Sequence, residues 1–177
     1  MASILNVDQI NNAAGTSAVT IDPSTGKPSF PNGMTLPAGV GGKMLQVVNG
    51  TTAITASTTS STYADTGLTA TITPSNTSSK ILVQANVPDA HNAASVSLLY
   101  LNLVRDSTQL IEFVRHGDAL SGQSLVTYGG STSYLDSPAT TSATTYKVQF
   151  AVHSNGGTQY VFLNGSTGTI TLMEIAQ

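Results

Sequence analysis

Residues 145–153, TYKVQFAVH, alternate without a break. Tyr146, Val148, Phe150 and Val152 fall on one face, and Lys147, Gln149 and His153 on the other. A period of two describes a strand with one face in a core and one toward solvent, because successive side chains point to opposite sides. Residues 80–87 repeat the pattern, with Ile81, Val83, Ala85 and Val87 on the apolar face. Residues 96–104 differ. Leu98 and Tyr100 point one way, and Leu99, Leu101 and Leu103 the other. A strand apolar on both faces belongs in the middle of a sheet or beneath a second layer.

Turn signals separate further short strands. Residues 44–48 run into the turn signal Asn49-Gly50, and residues 68–73 stop at Pro74-Ser75-Asn76. Residues 105–108 turn the chain and 109–115 return it. Residues 125–128 and 134–135 are weaker strand candidates. Asn155-Gly156-Gly157 and Asn164-Gly165 flank residues 159–163, and 169–175 close the chain. Residues 51–62, rich in Ser and Thr, read as a polar strand or loop with Ala53 and Ile54 as apolar anchors. About eight to ten short strands and no long helix predict an all-β, antiparallel β-sandwich, most simply a jelly roll.

Residues 1–42 have another character. Pro23, Pro28, Pro31 and Pro37 stand among Gly26, Gly33, Gly39, Gly41 and Gly42, a density that breaks helices and interior strands. The expected organisation is an extended N-terminal arm, 1–42, and a sandwich head, 43–177. The arm carries apolar teeth at Ile4, Leu5, Val7 and Ile10 and again at Val19 and Ile21. It has no core of its own, so these must be buried on something else. Ser3 is also a cap for a short helix over 4–10, which leaves the local structure there open.

Composition limits the function classes. Only 8% of the 177 residues are charged, against about 25% in ordinary soluble domains. Ser, Thr, Asn and Gly take their place, giving a surface that packs against other chains with few ions to desolvate. The six basic residues are scattered and the net charge is −3, which argues against nucleic-acid binding. The absence of Cys excludes disulfides, thiolate–zinc sites and thiol catalysis. No apolar run reaches the roughly 20 residues of a membrane span, and no signal peptide is recognisable at the N-terminus. The acceptor triplets at Asn49, Asn76 and Asn164 therefore read as turn chemistry.

Candidate chemistry is sparse. His91 lies near Asp89, His116 near Asp118, and His153 ends a strand, yet metal binding needs three or four converging donors. No Ser occupies a Gly-x-Ser-x-Gly elbow: Gly122-Gln123-Ser124 fails at Val126. Glu112, Asp118, Asp136 and Asp65 form no recognisable carboxylate pair, and Glu112 reads as a solvent-facing strand residue. Gly39-Val40-Gly41-Gly42-Lys43 lacks P-loop spacing. The expectation is no enzyme, no cofactor and no metal. Tyr128 and Tyr134, in an irregular Gly/Ser-rich region over 122–137, are the candidate receptor loop, because aromatics in polar loops stack on sugars or anchor partners.

Several ordered blocks resemble a known family. They are Ile4-x-x-Val7-Asp8-x-Ile10, Val19-Thr20-Ile21-Asp22, residues 42–48, Tyr63-x-Asp65 through Pro74, Ser78 through Val83, Leu103-x-Arg105-Asp106 and residues 169–175. In this order they resemble the fibre proteins of tailed phages, notably cyanophages. The resemblance implies a homotrimeric virion component, made in the host bacterial cytoplasm, with a tumour-necrosis-factor-like jelly-roll head. One sheet of each protomer would face the threefold axis. The arm would dock on other virion proteins through Ile4, Leu5, Val7 and Ile10, and the head would meet a host surface glycan or protein. The arm is short for a fibre, with a reach on the order of 150 Å fully extended. Capsid decoration is therefore the alternative, and a free carbohydrate-binding module the second alternative.

Overall fold

The computed structural model describes residues 9–11, 17–29, 43–92, 98–117, 126–153 and 157–177. The chain divides into two compact units, Met1–Gly41 and Gly42–Gln177.

In the first unit β1 (Gln9–Asn11), β2 (Ser17–Ile21) and β3 (Pro28–Ser29) form an antiparallel sheet in that order. Asp22 shapes the β2–β3 turn. Its Oδ1 accepts from the Ser24 hydroxyl at 2.6 Å and from the Ser24 and Thr25 amides at 2.8 and 3.0 Å. These bonds, the Ser24 hydroxyl foremost, hold the carboxyl at about 2. Gly26 completes the turn in the left-handed region, φ 68°.

The second unit holds β4 (Met44–Thr52), β5 (Ala56–Thr58), β6 (Ala64–Ile72), β7 (Lys80–Asn92), β8 (Leu98–Arg105), β9 (Thr108–Gly117), β10 (Val126–Asp136), β11 (Thr144–His153), β12 (Gln159–Val161) and β13 (Gly168–Ile175). The larger sheet runs β4-β13-β7-β12-β5, with β10 on the other side of β7. The smaller runs β6-β11-β8-β9. All pairings are antiparallel, and the sheets pack face to face as the sandwich that alternation predicted. Ile81, Val83, Ala85 and Val87 meet Tyr146, Val148 and Phe150 in one core, joined by Leu99, Leu101 and Leu103 from β8. The two-faced strand β8 is interior to its sheet, as expected.

The sheets converge at both flanks, and glycine permits the approach. A Cβ on Gly50 would stand 2.1 Å from the Thr69 carbonyl oxygen of β6. On the other flank, a Cβ on Gly130 would stand 2.2 Å from Val114 Cγ2 of β9. Asn49-Gly50 is thus no turn. β4 runs straight through it, and the glycine is there because a neighbouring backbone passes close by. Asn164-Gly165 does turn, both residues having positive φ.

Two further expectations fail locally. Ala53 and Ile54 are exposed, Ile54 by 78%, and anchor nothing; Ala56 packs on the core instead. Residues 126–136 are no irregular loop but an eleven-residue strand paired along β7. Pro88 interrupts the donors of β7, and the register shift between Tyr128 and Gly130 absorbs the break.

A core-facing rung near one end carries two buried carboxylates, Asp136 on β10 and Glu174 on β13, with Ile81 between them. Asp136 accepts Arg105 Nη1 on both oxygens, at 2.9 and 2.7 Å, and the Tyr146 hydroxyl at 2.7 Å. Glu174 accepts Gln46 Nε2 at 2.6 Å and the Ser75 amide and hydroxyl at 2.7 Å each. Asp136 thereby ties the larger sheet to β8 and β11 of the smaller. Burial pushes the Glu174 carboxyl up, but hydrogen bonds from Gln46 and Ser75 pull it down to about 2.

Candidate functional site

Ile4, Leu5 and Val7 lie outside the described residues. Ile10 sits on β1 opposite Val19 and is 52% exposed. Tyr128 and Tyr134 are both on β10, where Tyr134 is half-buried against the core, and the side chain of Tyr128 lies outside the described residues. The side chains of His116 and His153, and all of Asp118, also lie outside them.

His91 is buried on β7, with its Nε2 against Asp89 Oδ1. Ser166 Oγ donates to the other Asp89 oxygen at 3.3 Å. The carboxylate therefore stands between hydroxyl and imidazole. A nucleophilic triad needs the imidazole in that middle position to take the hydroxyl proton. Among the described residues no three His, Asp or Glu side chains gather in a metal-holding group.

The two outward faces of the sandwich differ in charge. On the smaller sheet the register sets Asp65, Gln149, Asn102 and Glu112 side by side across β6, β11, β8 and β9. Lys147 Nζ lies 2.9 Å from Asp65, and Gln149 Nε2 donates to Asp65 at 2.7 Å. Tyr63 sends its hydroxyl from the coil before β6 to Glu112 on β9, 2.8 Å away, roofing the rung between. Burial and this carboxylate push the Tyr63 phenol well above its usual range. Arg115 stacks 5.0 Å above the Tyr100 ring. Glu112 stands on the outward face, half-buried and bonded to Tyr63. Charged and polar groups of this kind suit a face turned to water.

The larger sheet is the opposite. Its outward side chains form rungs across β10, β7, β13 and β4. One reads Ser131, Asn86, Thr169 and Thr51, and the next Ser133, Gln84, Thr171 and Asn49. The third reads Leu135, Leu82, Met173 and Val47. No charged residue stands on these three rungs. The polar pair frames a shallow open hollow of about 410 Å³. Leu135 is 55% exposed and Val47 54%. Met44, itself 54% exposed, and half-buried Ile175 extend the apolar end of the face. Four strands at about 4.8 Å spacing and three outward rungs about 7 Å apart give an area of order 400 Å².

Sequence reasoning missed this face because its residues come from four strands whose register is a tertiary property. The one local signal was residues 44–48, where Met44, Leu45, Val47 and Val48 leave no polar face. Chemically, the arrangement is suited to non-covalent contact: amides and hydroxyls that both donate and accept, beside an apolar strip. No protein-family model matches the chain, and no curated protein is similar to it.

Proposed function

We propose that the chain is a structural component of a tailed-phage virion: a short homotrimeric tail fibre or spike with a jelly-roll head for host attachment. In this reading residues 1–42 form the anchoring arm, with Ile4, Leu5, Val7 and Ile10 buried in a docking site on another virion protein. Each fully buried aliphatic side chain contributes about 1.5–3 kcal/mol, so three arms together hold a trimer firmly. Ile10, left exposed in its own unit, supports the arm's role.

The observation that carries the reading is the contrast between the two outward faces. One is charged and laced with ion pairs. The other is uncharged over three rungs and apolar at one end. An isolated domain gains nothing from exposing such a strip, whereas an assembling one buries it. The order of sequence blocks supports the phage setting.

Gold-labelled antibody against residues 43–177, applied to intact phage particles, tests the proposal. Label clustered at the tail is the expected result. Label spread over the shell replaces the fibre with a capsid-decoration role, and no label on particles refutes both in favour of a free binding module.

A further inference from the structure

We propose that Asn164-Gly165 is a site of spontaneous covalent modification, at which the asparagine side chain is converted to aspartate and isoaspartate through a cyclic imide. The site does not depend on the assembly described above.

The chemistry is a ring closure between neighbours. Hydroxide takes the proton from the Gly165 amide. The nitrogen attacks Asn164 Cγ, a succinimide ring closes, and the Cγ–Nδ2 bond breaks with loss of ammonia. Water then adds to either ring carbonyl and reopens the ring at its nitrogen. Opening at Cγ leaves aspartate. Opening at the main-chain carbonyl leaves isoaspartate, whose backbone runs through the side chain and is one methylene longer. Nothing is oxidised or reduced. Glycine favours the closure because it has no Cβ to obstruct the approach.

Asn-Gly pairs begin at Asn32, Asn49, Asn155 and Asn164. Those at Asn32 and Asn155 lie outside the described residues. The surroundings of the other two differ. Asn49-Gly50 is held inside β4, where Gly50 pairs with Ile170 and its Cβ direction is blocked by Thr69. The Asn49 side chain is held as well: its Nδ2 donates to Thr171 Oγ1 at 3.0 Å and to the Ile170 carbonyl at 3.4 Å. Ring closure there requires β4 to leave its ladder.

Asn164-Gly165 has none of these restraints. Both residues are exposed, and nothing stands within 4 Å of the Gly165 Cβ direction. The Asn164 carboxamide has no hydrogen-bond partner among the described residues. The backbone is left-handed at both positions, φ 54° and 76°, which disfavours a residue with a side chain, so this turn gives way more readily than a paired strand. Either product places a carboxylate two residues from Ser166, whose hydroxyl donates to Asp89 at 3.3 Å, and makes the formal charge of −3 more negative by one. Isoaspartate also lengthens the segment between buried Phe162 and Gly168, against which the Phe162 ring packs.

The test ages the full chain at mildly alkaline pH and physiological temperature. Tandem mass spectrometry of its proteolytic peptides follows the exchange of side-chain nitrogen for oxygen at each Asn-Gly pair, and circular dichroism confirms that the chain stays folded. Asn164 is expected to convert faster than Asn49 by roughly 10-fold or more, because Asn49 reacts only when β4 opens. In concentrated urea, where both pairs sit in open chain, the two rates are expected to converge. Equal rates at Asn49 and Asn164 in the folded chain would overturn the proposal. So would an Asn164 that stays unchanged in the folded chain while converting in urea.

Discussion

Replacing Gly50 by alanine tests the packing of the two sheets. The backbone of β4 passes β6 so closely that an added Cβ would lie 2.1 Å from the Thr69 carbonyl oxygen and 3.0 Å from its carbon. Ile170 Cγ2, at 3.1 Å, blocks retreat in another direction. An ordinary contact needs about 3.5 Å, so backbone must move by more than 1 Å. Thr69 is held by its pairing with Lys147 of β11, and its own hydroxyl donates to the Tyr146 carbonyl at 3.1 Å. The shift therefore disturbs a ladder rather than a rotamer. Overpacking costs about 1–3 kcal/mol, and more where backbone is displaced; about 3 kcal/mol is expected here. In a chain of this size that lowers the melting temperature by about 6–12 °C. Gly165→Ala is the control. Gly165 has φ 76° and open space around its Cβ direction, so only the left-handed backbone opposes the methyl, at about 1–2 kcal/mol. Urea denaturation of both variants, followed by circular dichroism, measures the difference. A Gly50→Ala cost below 1 kcal/mol would refute the idea that the flank is closed by backbone contact.

Three further outcomes are expected. Asp136→Ala strands Arg105 and the buried Tyr146 hydroxyl together, and a loss of about 3 kcal/mol in urea denaturation is expected from breaking a buried pair. Glu174 has its carboxyl held at about 2 against an ordinary 4.5, so the unfolded chain takes up its proton first. Its contribution is full above about pH 4.5 and is lost as pH falls toward 2; in acid titrations Glu174→Gln flattens that slope, and an unchanged slope would contradict the network. Tyr63→Phe removes the hydroxyl on Glu112 while keeping the ring, and a cost of about 1 kcal/mol by thermal melting is expected.

Much of the sandwich is legible before any coordinates. Alternation in residues 145–153 and 80–87 identifies the core faces because burial imposes the period of two directly. Residues 98–104 announce an interior strand by being apolar on both sides. Asn49-Gly50 misleads because a glycine relieves either a tight turn or a close neighbour, and sequence alone does not say which. Residues 126–136 hide a strand, since Gly129 and Gly130 serve a bulge and a close approach to Val114 rather than a loop. The outward rungs are the least legible feature. Each strand contributes only one or two exposed apolar side chains, and their union depends on the register of β7 with β10 and β13.

The anchoring charges inside the sandwich were likewise scattered in the sequence. Asp136 and Arg105 are far apart along the chain, and nothing in the sequence pairs them; the ends of β8 and β10 bring them together. Low overall charge was the clearer clue, and the structure shows how it is distributed, with ion pairs on one face and none on the three described rungs of the other.

Native mass spectrometry of the full chain at low micromolar concentration tests the central claim most directly. The account predicts one dominant species at three chain masses. A single chain mass across the concentration range would contradict it.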